Sequence, residues 1–513
     1  MKINKKGFTL IELLGVLILI SLLAILVTPS IIERLKGSES ILDKATMTLI
    51  EGSMELYLEQ NTNVYPKVNG SVYCISVEEL VNSGQLQAPI INASTGKEIP
   101  LNTILKTKIN NQNININISE TECTEFRVNP VYTDTTGAPN PELSAGMIPV
   151  VHNGTSWVKA DITQKWYNYA TKEWANAVLV TEATRTTYQN AVRGSVINDD
   201  DVLAYLVWIP RYRYKLFNAK ALSTSPQTIE VKFEGKYATK SNGDNNGEWL
   251  THPAFTFGNS EVSGIWVGKF ETSGDATTPT IKPNNTYLGN QNVSTQFATA
   301  KKFNDTQVYG TSNDFDSHMM KNMEWGAVAY LSHSIYGKNG EVWKNNSGTL
   351  LTGCAGDSAS EVVFAGCQNE YDSPLGVNAS TTGNIYGIYD MSGGAWEYVM
   401  GGMYNIDNQT IEISLSGFDQ TVIDSEGMEK YINKYTYGTT KNDQTAFNRR
   451  QLGDATGEVR GWYIDRDFFA TTNYPWFIRG GCQNDTTDTG LFAFSSLDKA
   501  TGNVSFRVVQ LKP

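Results

Sequence analysis

From Phe8 to Val27 the chain is apolar except for one charge, Glu12, and a short basic leader, MKINKK, precedes the run. About 20 apolar residues suffice to cross a bilayer as a helix at ~1.5 Å per residue. The pattern continues as IIERLKGSESILDKATMTLIEGSMELYLEQ, in which Ile31, Leu35, Leu42, Leu49 and Leu56 recur mostly at intervals of seven. That spacing puts them on one helical face, expected to pack against the chain's own sheet. Pro66 and the turn NTNVYPKVNG end the helix.

Apolar positions then shift toward a period of two. Strand-like runs fill 71–128, most plainly in NNQNININIS, where Ile alternates with Asn as on a half-exposed strand. The Pro-, Gly- and Thr-rich stretch VNPVYTDTTGAPNPELSAGM reads as a linker. Two short Trp-containing strands follow within 148–180, with a turn at Asn153-Gly154. DVLAYLVWIPRYRYKLF, IEVKFEG and SGIWVGKFETS read as strands, and NVSTQFATAKKF and SHMMKNMEWGAVAYLSHSIYG read as helices. In the second helix Met320, Met323, Ala327 and Leu331 share a core face. The last strand, NVSFRVVQL, matches the first in character, so the ends of the head are expected to pair. The fold class is α+β. Its parts are a leader at 1–7, a membrane and assembly helix at 8–60, a small β headlet at 61–128, a linker and small β module at 129–200, and a large head at 201–513.

Charge changes the picture by exclusion. A formal net charge of −12 argues against nucleic acid as a partner, because phosphate binding needs clustered Lys and Arg. Cys74 and Cys123 bracket the headlet, and a disulfide there would close a long loop and stabilise it by ~3 to 4 kcal/mol. Cys354 and Cys367 enclose AGDSASEVVFAG and form the second expected bridge, which leaves Cys482 odd. His152, His252, His318 and His333 have no metal-site spacing and read as structural. Glu12 is the oddity of the apolar run. A carboxylate in lipid is costly unless paired, which points to a partner in a neighbouring chain. A cleaved secretory signal would not run on into an amphipathic helix. A plain anchor suits Lys2, Lys5 and Lys6 on the cytoplasmic side but gives Glu12 no role.

The junction Gly7-Phe8-Thr9-Leu10-Ile11-Glu12, followed by Pro29, resembles the class III leader and N-terminal helix of type IV pilins and pseudopilins. The resemblance implies that a prepilin peptidase cuts after Gly7 and methylates Phe8. It also implies that Glu12 pairs with the N-terminal amine of another pilin subunit during assembly. The chain would then be membrane-inserted before assembly and afterwards part of a bacterial surface filament.

Five later phrases, GIWVGKFETS, MEWGAVAYLSHSIYG, GIYDMSGGAWEYV, RGGCQNDTTDTG and NVSFRVV, resemble the formylglycine-generating-enzyme (sulfatase-modifying-factor) branch of the C-type lectin fold. That family's oxidases use a cysteine pair just before the last strand, and GLFAFSSLDKATGNVSFRV contains none, so no enzyme is expected. The family's loop at DMSGGAWE implies a structural calcium on the side chains of Asp390 and Glu397 and the carbonyls of Gly393 and Ala395. The plainer reading is that Asp390 caps a turn and Trp396 is core. The same branch also scaffolds hypervariable ligand binding in proteins diversified by retroelements, where varied positions lie between the RGG phrase and the last strand around a fixed G-x-F-x-F. Here GLFAF supplies that core, and the implied contacts are Gln483, Asn484, Asp485, Thr487, Asp488, Ser495, Ser496, Asp498 and Asn503, for each of which a solvated loop residue is the plainer reading. The expected function is a pilin-like surface protein whose adhesin-like head binds an external protein or glycan. A surface enzyme of the formylglycine-generating type and a purely structural minor subunit are the alternatives.

Overall fold

The computed structural model describes residues 46–61, 65, 72–93, 95–110, 132–219, 225–414, 416–437, 451–497 and 504–513, with the backbone of 113–119. Gly7, Phe8, Glu12, Cys123, Asp498 and Asn503 lie outside the described residues. The chain divides into two compact units, Met1–Pro130 and Val131–Pro513.

In the first unit a helix, α1 (46–60), buries Ile50, Met54, Tyr57 and Leu58. It does so in one cluster with Ile75, Leu105 and Ile109 of a three-stranded antiparallel sheet made of β1 (Val72–Ser76), β2 (Ile104–Asn110) and β3 (Asn113–Ser119). The expected core face is therefore wrong here. Leu49 and Leu56 are 58% and 51% exposed. Each precedes a buried residue by one position, and one position turns the face by about 100° on a helix of 3.6 residues per turn. Tyr57 and Tyr65 both donate their hydroxyls to Glu79 Oε1, at 2.6 and 2.5 Å. Glu79 lies on a short helix, α2 (Val77–Asn82), whose N-cap Ser76 accepts from the Glu79 N–H. Cys74 is buried and disulfide-bonded.

The second unit begins at Val131, which corrects the separate module placed at 129–200. Its strands β4 (Met147–His152), β5 (Trp157–Lys159), β6 (Asn176–Val180), β7 (Val202–Pro210), β8 (Gly264–Gly268) and β9 (Asp316–Met319) belong to one seven-stranded sheet. Later come a helix, α3 (Asn322–Ser332), and the strands β10 (Trp396–Asn405), β11 (Trp476–Arg479), β12 (Phe494–Leu497), β13 (Val504–Phe506) and β14 (Val508–Leu511). The large sheet runs β9-β14-β8-β7-β6-β4-β5, with every neighbour antiparallel. The β6 run NAVLV is buried at every position, so it needs cover on both faces and cannot form the core of a small module by itself. The terminal strand β14 pairs with β8 and β9, and β8 separates it from β7. The expected pairing of the head's two ends is thus indirect.

A second sheet is built on β10, which takes β11 antiparallel and β13 parallel, with β12 outside β11. Arg507 is the one residue between β13 and β14, where the chain passes from one sheet to the other. The expected helix at Val293–Ala300 is present. Only part of the second expected helix is helical. Ser317 to Met319 belong to β9, and α3 starts at Asn322 with every residue buried.

One polar cluster ties β9 to α3. His318 is fully buried between Asp316, 2.8 Å from Nδ1, and Glu324, 3.1 Å from Nε2. Lys301 reaches Asp316 and Lys321 reaches Glu324. Burial opposes charge on the imidazole, but Glu324 and Asp316 outweigh it and raise the His318 pKa. A raised histidine contributes stability that is fully present below its unfolded value of about 6.5 and is lost as pH rises through the folded value. The head should therefore lose stability as pH rises from about 6.5 through the raised folded value. Urea midpoints measured between pH 6 and pH 9 should show a fall for the native chain that is smaller in His318→Gln.

Candidate functional site

The phrase RGGCQNDTTDTG forms a loop held at both ends. Strand β11 stops at Arg479, and Gly480 and Gly481, at φ +87° and +79°, reverse the chain. A side chain at Gly481 would lie 2.5 Å from the Thr489 side chain, so the second glycine is required by space as well as by backbone angle. The loop then docks on the DMSGGAWE turn. Gly393 N–H donates to Gly480 O, and Gln483 N–H donates to Gly394 O, both at 3.1 Å. Trp325 Nε1 donates to Leu491 O, and GLFAF is buried throughout.

Within this frame the expected contact residues separate. Asn484 and Thr487 are exposed, and Asp485 and Asp488 are half-buried. The Asp485 carboxylate accepts from Cys482 N–H at 3.0 Å and so closes the loop's own turn. Asp488 faces Arg466 at 3.4 Å. Gln483, Ser495 and Ser496 are buried, which corrects their reading as contact residues. Their place in the frame explains it: Gln483 lies on the DMSGGAWE turn, and the two serines lie on β12 opposite Ile478 and Phe477.

Two further segments flank the loop. Lys344 Nζ donates to Asp485 O at 2.7 Å, while the Lys344 backbone bonds Ser358 and Gly356. Those residues belong to the loop closed by the Cys354–Cys367 disulfide, which forms as expected. Its tip, Val362-Val363-Phe364, is exposed, Val362 at 70%. On the other side Arg466 N–H donates to Asp488 O at 3.1 Å, and residues 466–468 hydrogen-bond along the outer edge of β12 at Phe494. Ile464 and Phe468 are exposed there. Ile464 has φ +70°, an uncommon angle for a β-branched residue, and its neighbours are pinned by the Tyr463 hydroxyl to His333 Nε2 and by Asp465 to Phe492 N–H. The reading from sequence missed both segments. The signals were present: an apolar EVVF inside a polar cysteine-bracketed loop, and the aromatic run WYIDRDFF.

The two carboxylates of the implied calcium set are engaged by protein donors. Asp390 accepts from Asn345 Nδ2 at 2.8 Å and from Gly353 N–H at 2.9 and 3.0 Å. Both oxygens of Glu397 face the Arg507 guanidinium, at 2.5 and 3.1 Å. N–H groups thus take up part of the acceptor capacity of both carboxylates, and the Arg507 guanidinium supplies positive charge beside them. Glu271 completes the cluster by accepting from Ala395 N–H at 2.9 Å. Burial and the carboxylates of Glu397 and Asp390 push Glu271 well above the ordinary range. Among the described residues no group of three or more His, Cys, Asp or Glu is arranged to hold a metal. Cys482 is buried with a free thiol, pushed up to about 11 by burial and the nearby Asp485.

The chain thus combines a mixed helix-and-sheet head with an N-terminal sequence signal of its own. Residues 2–28 match the family described as the prokaryotic N-terminal methylation motif. That motif is the mark of pilin-like proteins, which are processed by prepilin peptidase and assemble with other pilins. Among the described residues no helix is long and apolar enough to cross a membrane, and the run at 8–27 lies outside them. No curated protein matches the chain in sequence. Matching solved structures include Treponema denticola variable protein 1, 12% identical over 62% of this chain and 97% of that one, with a TM-score of 0.24. Another is a Major Tropism Determinant U1 variant, 12% identical over 80% and 82%, with a TM-score of 0.25.

Proposed function

We propose that this protein is a pilin-like subunit, inserted through its N-terminal helix into a bacterial surface filament, whose head binds an external protein or glycan without catalysis. The observation that carries this reading is the methylation motif over residues 2–28. On this reading prepilin peptidase cuts after Gly7 and methylates Phe8, and Glu12 pairs with the amine of the next subunit. The head is read as a C-type lectin-like unit of the formylglycine-generating branch. Its face combines Asn484 and Thr487 with the apolar tip at 362–364 and with Ile464 and Phe468. Apolar side chains among self-paired charges such as Arg466 and Asp488 suit a contact surface. The formylglycine-type alternative has little support, since Cys354 and Cys367 are bonded to each other and Cys482 is alone and buried.

Two changes separate the halves of the proposal. Glu12→Ala should lower the amount of the chain in sheared filaments by about tenfold or more, as expected for leaving one charge of a buried pair unmatched. Normal incorporation would count against the assembly role. Replacing Asn484, Thr487 and Val362 to Phe364 by serine and glycine should leave incorporation intact and reduce, at least several-fold, adherence of the cells to protein- or glycan-coated surfaces that the native cells bind. Unchanged adherence with a folded head would remove this face from the account.

A further inference from the structure

The strand Tyr212–Lys215 is the middle of a three-stranded antiparallel sheet, between Val231–Phe233 and Trp249–Thr251. Tyr212, Tyr214 and Val231 are buried, and the Tyr214 hydroxyl donates to Glu458, so one face of this sheet packs on the head. Strand alternation sends Arg213, Lys215, Lys232 and Trp249 to the other face, where Lys232 is exposed and the other three are half-buried. The register puts Arg213 opposite Lys232 and Lys215 opposite Trp249. The side chains meet over the middle strand: the Trp249 ring centre lies 4.8 Å from the Lys232 ammonium and 5.6 Å from the Arg213 guanidinium.

Like charges directly opposite each other weaken a sheet. Acids answer this pair only in part. Lys215 meets Glu230 at 3.1 Å, but Arg213 comes no closer than 4.0 Å to Glu234, which also faces Arg211 at 3.3 Å. Lys232 forms no ion pair among the described residues, and the indole holds it by cation–π attraction instead. Residues 211–251 carry seven Lys and Arg against four Asp and Glu, while the whole chain carries 41 against 53. The face is a basic island on an acidic protein, and an anion set between Arg213 and Lys232 would relieve their repulsion. Its surroundings narrow the kind of anion. One aromatic ring stands among charged side chains and the Ser241 hydroxyl, to which Arg213 Nη1 donates at 3.2 Å, whereas the core of a protein interface is depleted of charge. The C–H face of a sugar ring suits an indole, whose π face is negative, and a guanidinium matches a sulfate or carboxylate with two parallel bonds.

We propose that the Arg213, Lys232 and Trp249 face of the head binds an anionic glycan, with a sulfate or carboxylate between the two cations and a sugar ring against the indole. The site shares no residue with the face around Asn484 and Thr487, and it does not depend on the filament reading. The test uses the full chain in detergent micelles over immobilised heparin, polygalacturonate, neutral dextran and poly-glutamate, at rising salt. The native chain should bind heparin or polygalacturonate at least about fivefold more tightly than dextran, and salt should weaken that binding. Lys232→Glu, at an exposed position, should weaken it about five- to tenfold. Trp249→Ala should weaken it by at least about fivefold with the salt dependence unchanged, because the ring carries no charge, and Trp249→Phe should recover part of the loss. A native chain that does not prefer either acidic glycan to dextran would overturn the proposal, as would Lys232→Glu binding like the native chain. Poly-glutamate bound as tightly as the glycans would also overturn it and assign the face to an acidic protein segment.

Discussion

Arg507→Ala should destabilise the head by about 3 to 5 kcal/mol, the range for removing one partner of a buried ion pair. Arg507 is fully buried at the crossing between the two sheets. Its guanidinium faces both oxygens of Glu397 and also donates to Gly268 O at 2.8 Å and Tyr389 O at 3.0 Å. Without it, Glu397 would stand uncompensated beside Asp390 and Glu271, and two buried carbonyls would lose their donor. Denaturant midpoints of the variant measure the loss. The double variant Arg507→Met/Glu397→Leu should recover a large part of it, because an apolar pair of similar volume removes the orphaned charge. A double variant as unstable as the single one would show that the carbonyl contacts, and not the charge, dominate.

Gly326→Ala should cost the head about 2 to 3 kcal/mol, from overpacking against fixed backbone. In an exposed helix the same change would gain ~1 kcal/mol. Gly326 lies in α3, and an added Cβ would meet Gly453 O at 1.9 Å and the Asp454 backbone at 2.9 Å. A carbonyl in a packed loop cannot swing aside as a side-chain end can, so the steric term outweighs the propensity term. Gly52, in α1, has nothing within 4 Å of the corresponding position. Gly52→Ala should therefore raise the stability of the first unit by up to ~1 kcal/mol, and opposite signs at the two sites would confirm that space decides.

Features with a local cause could be read from the sequence. The alternation of Ile and Asn in β3, the apolar runs of β6 and β7, the enclosed pair Cys354 and Cys367, and the double glycine after Arg479 each depend on residues close in the chain. Non-local features were misread. The period of seven through Leu49 and Leu56 marks a real stripe, but which stripe faces the sheet depends on Tyr57 and Tyr65 meeting Glu79. The boundary at Asp201 failed because β6 pairs with β7 across it, so that β4 to β6 extend the sheet that also holds β14. The partner of Glu397 could not be read locally either, because Arg507 lies more than a hundred positions further on. At the candidate face, Asn484 and Thr487 are exposed as expected, while Gln483, Ser495 and Ser496 turn inward because the loop rests on the glycine turn and β12 pairs with β11.

The central claim is that this chain is cut, methylated and built into a filament that carries its head outside the cell. The most direct test is the mass of its N-terminal peptide in filaments sheared from cells. The account predicts a peptide that begins at Phe8 and carries one added methyl group. An intact Met1 terminus, found only in membranes, would contradict it and leave a tethered binder with no role for Glu12.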